Sequence, residues 1–269
     1  MKLAIAGKGG SGKTSISGTL ARQIARDGRS VLAIDGDTNP NLALTLGISA
    51  DRINDLPVLP SGLLERGDDG FELKKSLAEL RATHSVEGPD GVTLLVMAHP
   101  GEEDAGTGCY CGMHATVREL IESATDTDAD VTVLDTEASP EHLTRGTAKY
   151  ADVMLTVVEP YFKSLETGRR MAELAHGLGL QRVLLVANKV RDDRELAAVQ
   201  EFAAKHGLEV AATVPYDERL MEAERAEAAP LDFDPDAPAV QAIASIARTL
   251  SESGEAGNAR PVASGAADE

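Results

Sequence analysis

Residues 2–14 read Lys2-Leu3-Ala4-Ile5-Ala6-Gly7-Lys8-Gly9-Gly10-Ser11-Gly12-Lys13-Thr14. A short apolar run ends in a glycine cluster, which opens into a helical pattern over 13–27. Gly7 to Thr14 satisfy G-x-x-x-x-G-K-[ST], in the order strand, loop, helix that a phosphate-binding loop needs. Glycines permit unusual backbone angles and close approach, so several N–H groups can point at one anion. The helix that follows adds its positive end. Lys13 is placed to reach the β- and γ-phosphates, and the Thr14 hydroxyl to ligate magnesium, with Ser15 as the next nucleotide contact. Lys8 puts a second cation beside the phosphates, where it can neutralise transition-state charge as an arginine finger does.

Outward from this loop the chain alternates. Aliphatic runs at 2–6, 30–34, 92–97, 131–134, 153–158, 182–187 and 209–214 read as strands covered on both faces. Helical patterns lie at 13–27, 114–124, 163–178 and 193–206, with a last one at 236–252. Alternation of this kind predicts an α/β fold: a single P-loop domain over 1–252 with a mostly parallel sheet of about seven strands and helices on both faces. Residues 50–90 break the rhythm and read as surface excursions with a short helix near 72–82. The polar end, 253–269, reads as a disordered tail.

Composition limits the partners. The chain has 269 residues, with 44 acidic and 26 basic side chains and a formal charge of −18. No basic run occurs, so neither nucleic acid nor an anionic membrane surface is expected as a partner. There is no apolar stretch of transmembrane length, and MKLAIAGKGG lacks the form of a signal peptide, so a cytoplasmic location is expected. Aromatic residues make up 3%, so the core must be aliphatic.

Carboxylates recur at strand ends. Asp35 and Asp37 close the strand at 30–34, where ligands of open α/β sheets bind. Carboxylates there also serve as ordinary caps, and Asp37-Thr38-Asn39-Pro40 fits a capped turn. Val131-Thr132-Val133-Leu134-Asp135 ends a buried strand with a carboxylate that can hold magnesium through water, completing the work of Thr14. Asn188 offers a donor and an acceptor to a purine edge, and Pro215 and Tyr216 offer surfaces to pack on it. Guanine-binding loops read NKxD, but here the tetrapeptide is Asn188-Lys189-Val190-Arg191, and arginine cannot accept guanine's hydrogen bonds. Adenine is therefore the expected base. His142 is left out of the chemistry, because a lone histidine is more often a surface or packing residue than a catalytic one.

The form KGG-x-GKT resembles the deviant Walker A loop of the MinD/ParA/nitrogenase iron protein class of P-loop ATPases. The resemblance implies an ATP-promoted homodimer in which Lys8 reaches the partner's phosphates. It implies that Asp37 is the switch I aspartate that positions the attacking water, and that Asn188 and the Pro215 loop hold adenine. It also makes residues 136–142 switch II.

Cys109 and Cys111 are the only cysteines, in Gly108-Cys109-Tyr110-Cys111-Gly112. One intervening residue is a poor spacing for a structural disulfide. Two thiolates cannot satisfy a soft tetrahedral metal, but a symmetric dimer with this loop on its axis supplies four. His114 is either a further ligand or an exposed first residue of a helix. GKGGSGKT, DGDTNPNL, GCYCGMHATVREL, DTEASPEHLTRGTA and VVEPYFKSLETGRR together resemble the CooC-type ATPases. That resemblance covers about residues 1–250 and implies Ni2+ or Zn2+ held across the dimer and handed to a client enzyme such as carbon monoxide dehydrogenase. The competing classes are a ParA- or MinD-like partition or localisation switch and an iron–sulfur ATPase of the nitrogenase iron protein type. Neither ParA nor MinD uses the two cysteines, and the iron protein takes its ligands from separated positions.

Overall fold

The computed structural model describes residues 1–67, 70–99 and 111–258, with backbone alone for Asn54 and 251–258. The elements run β1 (Lys2–Gly7), α1 (Lys13–Arg26), β2 (Val31–Gly36), α2 (Leu42–Thr45), β3 (Leu64–Arg66), β4 (Phe71–Leu73), α3 (Leu77–His84), β5 (Ser85–Glu87) and β6 (Thr93–Val96). They continue α4 (Cys111–Ser123), β7 (Val131–Thr136), α5 (Glu141–Thr144), β8 (Val153–Val158), α6 (Phe162–Gly177) and β9 (Val183–Val190). The chain closes with α7 (Asp193–Lys205), β10 (Glu209–Pro215), α8 (Glu218–Arg225), α9 (Pro230–Phe233) and α10 (Pro238–Asn258).

One eight-stranded sheet in the order β10-β9-β8-β1-β7-β2-β6-β5 forms the centre. All its ladders are parallel except β5 on β6, an antiparallel edge pair. The sequence reading expected about seven strands. The extra one, β5, is three residues long and half-exposed, too short to give a period of its own.

Strand residues alternate between two buried faces, as a period of two demands. Leu3, Ile5, Val31, Ala33, Val131 and Val133 pack on the side of α1 and α10, against Ile16, Leu20, Ile24, Ile243 and Ile246. Ala4, Ala6, Leu32, Ile34 and Leu134 pack on the other side, against Val117, Leu120 and Ile121 of α4 and Met171, Ala172 and Ala175 of α6. Both faces are covered, so the strands read as unbroken apolar runs.

Residues 50–90 hold more structure than expected. A 3-10 helix spans Ala50–Asp55, β3 and β4 form a separate hairpin, and α3 starts at Leu77 rather than 72. The true start carries a capping box, with Ser76 and Glu79 exchanging hydrogen bonds. That signal stands in the sequence as Ser76-Leu77-Ala78-Glu79. The last helix runs to Asn258, past the expected end at 252. Among the described residues no helix is long and apolar enough to cross a membrane.

β1 lies between β8 and β7, and the chain must pass over β7 to reach β2. The carboxyl ends of β1, β2, β7, β9 and β10 therefore converge on one rim, where ligands of such sheets bind.

Candidate nucleotide and switch site

The loop from Gly7 to Gly12 turns tightly. The Ser11 N–H donates to the Lys8 carbonyl at 3.0 Å. Gly12 caps α1 in the left-handed region at φ 95°, and a Cβ there would run into the Asn188 amide. A Cβ on Gly7 would lie 2.5 Å from the Val157 carbonyl. These two positions demand glycine on sterics alone.

A cleft of about 550 Å³ opens from this loop. Of the residues singled out from the sequence, Gly10, Gly12, Lys13, Thr14, Ser15, Asn188, Pro215 and Tyr216 line it. Gly7, Lys8, Gly9, Ser11, Asp37 and Asp135 stand behind or beside that lining. The far end is built by residues the sequence reading missed: Leu44 and Thr45 of α2, Leu220, Met221 and Glu224 of α8, Ala228 and Pro230. No short motif marks them, because their chemistry is shape and apolar surface.

Asp135 is buried and accepts from Thr14 Oγ1 at 2.6 Å and from Ser17 Oγ at 2.9 Å. Ser17, also unforeseen, lies one turn beyond Lys13 and donates as well to its carbonyl. Burial and the neighbouring carboxylate of Asp135 push Asp35 up to about 8, and burial raises Asp135 to about 6 against the pull of Thr14 and Lys13. Two buried carboxylates with raised proton affinity beside an oxygen donor form a set that suits a hard divalent cation. Thr14 and Asp135 are the residues that would hold Mg2+ here. The Ser11 hydroxyl is buried without a partner among the described residues, an orphan donor at the phosphate loop.

Asp35 resolves into a bracing residue. Its Oδ2 accepts from Leu42 N–H at 2.9 Å and its Oδ1 from Asp37 N–H at 3.2 Å, holding the loop between β2 and α2. Asp37 forms the capped turn that its sequence allowed, accepting from Asn39 N–H at 2.9 Å.

Asn188 does more than face a base. Its Nδ2 donates to the Ser11 carbonyl at 2.7 Å, so β9 grips the phosphate loop directly. Lys189 adds a second grip: left-handed at φ 59°, it donates to the Gly10 carbonyl and pairs with Glu159 at 3.3 Å. Lys8 points to the same carboxylate by another route. Its Nζ donates to the Tyr161 hydroxyl at 3.4 Å, and that hydroxyl donates to Glu159 at 3.2 Å. Arg191 stacks on the Tyr216 ring at 4.3 Å, at the edge of the cleft.

α4 opens at Cys111, three residues earlier than the helix expected at 114. Cys109 lies outside the described residues. Cys111 is disulfide-bonded, where the spacing argument expected thiols. Among the described residues no three His, Cys, Asp or Glu side chains gather as a metal site. His114 is buried at 1% exposure, contrary to the exposed position allowed for it, and its Nε2 lies 3.2 Å from Glu137. With that nitrogen donating to the carboxylate, neutral His114 keeps a bare, buried Nδ1 that has no partner among the described residues. Burial lowers its proton affinity despite Glu137. Arg145 Nη1 lies 3.8 Å from the same Glu137 oxygen. His142 is fully buried, both ring nitrogens lack a partner among the described residues, and burial depresses it to about 3. It is a packing residue, outside the chemistry as the sequence reading held.

Residues 2–231 match the family model described as the CobQ/CobB/MinD/ParA nucleotide binding domain. The chain belongs to this family. It is a P-loop ATPase. The carbon monoxide dehydrogenase accessory protein CooC of Rhodospirillum rubrum is 32% identical over 249 residues, covering 87% of this chain and 91% of the relative. An uncharacterized ATP-binding protein of Methanocaldococcus jannaschii is 35% identical over 233 residues, covering 83% and 88%. These relatives bear out the CooC-type resemblance read from the motifs. In fold, the septum site-determining protein MinD of Pyrococcus horikoshii, solved with Mg-ADP, aligns at a TM-score of 0.70. That alignment covers 96% of this chain and 99% of MinD at 19% identity, so it speaks for the α/β architecture alone.

Proposed function

We propose that the protein is a homodimeric, Mg-ATP-dependent metallochaperone ATPase. It takes nickel or zinc on Cys109 and Cys111 of both chains and couples hydrolysis to delivery into a client metalloenzyme, with carbon monoxide dehydrogenase as the model client. The observation that carries this reading is the pair His114–Glu137 at 3.2 Å. It joins the helix opened by Cys111 to the segment that follows Asp135. A change at the nucleotide therefore has a short covalent and hydrogen-bonded path to the cysteine loop. The relation to CooC supports the same reading.

In the proposed cycle ATP lies with its phosphates on the Gly7–Thr14 loop and its adenine between Pro215, Tyr216 and Asn188. Magnesium, when bound, spreads the charge of the phosphate oxygens. Lys13 supplies positive charge within the chain, and Lys8 leaves Tyr161 to supply it to the partner's phosphates. Asp37 orients the attacking water toward the γ-phosphorus. The bond to the β–γ bridging oxygen breaks and ADP and phosphate leave. Thr14 and Asp135 then relax, and Glu137 carries the change to His114 and α4. The metal is cargo: thiolates of Cys109 and Cys111 bind it in the reduced state.

A partition or localisation switch is the second reading, since the fold is shared with MinD. It uses the same nucleotide chemistry but leaves the cysteines without a task, and a charge of −18 disfavours DNA.

The test is metal content of reduced protein equilibrated with nickel or zinc and ATP. Retention in the wild type and loss in Cys109→Ser/Cys111→Ser is expected. Iron with equal acid-labile sulfide would move the protein to the iron–sulfur class, and intact ATPase activity without any metal would leave the switch.

A further inference from the structure

Arg22 is 2% exposed, and sequence reading gave it no role. A buried guanidinium needs partners on every side. Its two terminal nitrogens donate to both oxygens of Asp232 at 2.6 and 2.8 Å, and its Nε donates to Asp90 at 2.6 Å. This is the fork-on-fork arrangement in which arginine fixes orientation as well as distance.

Three walls of the cleft meet at this one side chain. Arg22 belongs to α1, whose first turn holds the phosphate loop. Asp232 lies in α9, two residues after Pro230, which lines the far end of the cleft with Ala228. The turn after α2 closes over the pair: a Cβ on Gly47 would meet Asp232 Oδ2 at 2.7 Å and Arg22 at 3.1 Å. Leu44 and Thr45, just before that turn, also line the cleft. Asp90 is held in the left-handed region at φ 59°, unusual for a residue other than glycine. Arg22 and Arg26 both bind its carboxylate there, Arg26 at 3.1 Å.

On the reading of the cleft as the ATP site, the phosphates belong at Gly10 to Thr14. The rest of the lining includes apolar Leu220, Met221 and Pro230 beside polar Thr45 and Glu224, so apolar faces for a flat ring stand next to polar groups for its edge. We propose that Arg22 and Asp232 are positioning residues for the base of the nucleotide. Their bidentate pair locks α9 and the α2 turn, so that Pro230 and Thr45 complete the pocket that Pro215, Tyr216 and Asn188 form for adenine. This inference rests on the reading of the cleft as the ATP site. Neither residue touches the reacting atoms, so the clamp acts on binding of the base and leaves the phosphate end as it is.

The experiment compares Mg-ATP with Mg-tripolyphosphate, which lacks base and sugar, as ligands of the wild type and Asp232→Asn. Affinity is read by calorimetry and turnover by phosphate release. In Asp232→Asn the dissociation constant and KM for ATP are expected to rise five- to tenfold, tripolyphosphate to bind as before, and kcat to move less than twofold. Arg22→Lys keeps the charge but loses the fork and is expected to behave alike. The double variant is expected to be no worse than either single one, since both break the same contact. Unchanged ATP affinity in Asp232→Asn, or equal weakening of ATP and tripolyphosphate, would overturn the clamp. A wild type that binds ATP no tighter than tripolyphosphate would overturn the cleft reading and the clamp together, a result distinct from failure of the clamp alone.

Discussion

Asp135 shows how much one side chain can organise. It closes a buried strand, takes hydrogen bonds from Thr14 and Ser17, and stands two residues before Glu137. Lys13 is the cation nearest to this work, and Lys13→Ala is expected to lower kcat at least a hundredfold, about 2.7 kcal/mol of transition-state stabilisation. Single-turnover phosphate release at saturating ATP measures it. His142 gives a separate prediction, on stability. Its neutral ring is buried and its proton affinity lies at about 3, below the ordinary histidine value. The unfolded chain binds the proton first as pH falls. The stability this residue contributes is therefore complete above about 6.5 and lost progressively from there down to about 3. His142→Leu is expected to remove about 1.4 kcal/mol per pH unit from the slope of unfolding free energy in that window. Urea titrations between pH 6 and 4 read the slope directly, and an unchanged slope would place the acid sensitivity elsewhere.

Among elements, the strands and α1 were legible in the sequence because burial on both faces leaves unbroken apolar runs, and because the phosphate loop fixes its own start. The carboxylates and the Asn188 loop were legible because strand ends are where such side chains act. What escaped has a common physical cause. The three-residue strands β3, β4 and β5 are too short to show a period. Part of the cleft is lined by α8 and α9, whose residues contribute surface rather than a recognisable motif. Asn188 was read as a base contact alone, because its hydrogen bond to Ser11 spans 177 residues. That bond makes a prediction at this scale. Gly12→Ala must hold a left-handed alanine, at a cost of about 1–2 kcal/mol, and must displace Asn188. A fall in thermal midpoint together with a more than tenfold rise in the ATP dissociation constant is expected. A fall in midpoint with unchanged affinity would separate the β9 grip from nucleotide binding. α4 gives another. Glu137→Gln keeps the shape of the side chain and weakens its tie to His114 and Arg145. Alkylation of the reduced cysteines, followed with and without ATP, is expected to differ by nucleotide in the wild type and to lose that difference in Glu137→Gln. Retention of the difference would show that switch II is not the route.

For the whole molecule, the fold brings the phosphate loop, the end of the Asp135 strand and the start of the Cys111 helix to the carboxyl-end rim of the sheet. The proposed dimer would set Lys8 of each chain against the partner's phosphates. Lys8→Ala is expected to bind Mg-ATP within threefold of the wild type and to remain monomeric with it, as sedimentation velocity would register. Dimerisation of Lys8→Ala at wild-type strength would remove the partner-directed role of that lysine. The central claim joins nucleotide, dimer and metal in one species. Native mass spectrometry of the reduced protein with ATP and nickel reads all three at once. The expected ion is a dimer with two nucleotides and one metal, absent from Cys109→Ser/Cys111→Ser, which keeps its nucleotides. A nucleotide-bound dimer that carries no metal in the wild type would contradict it.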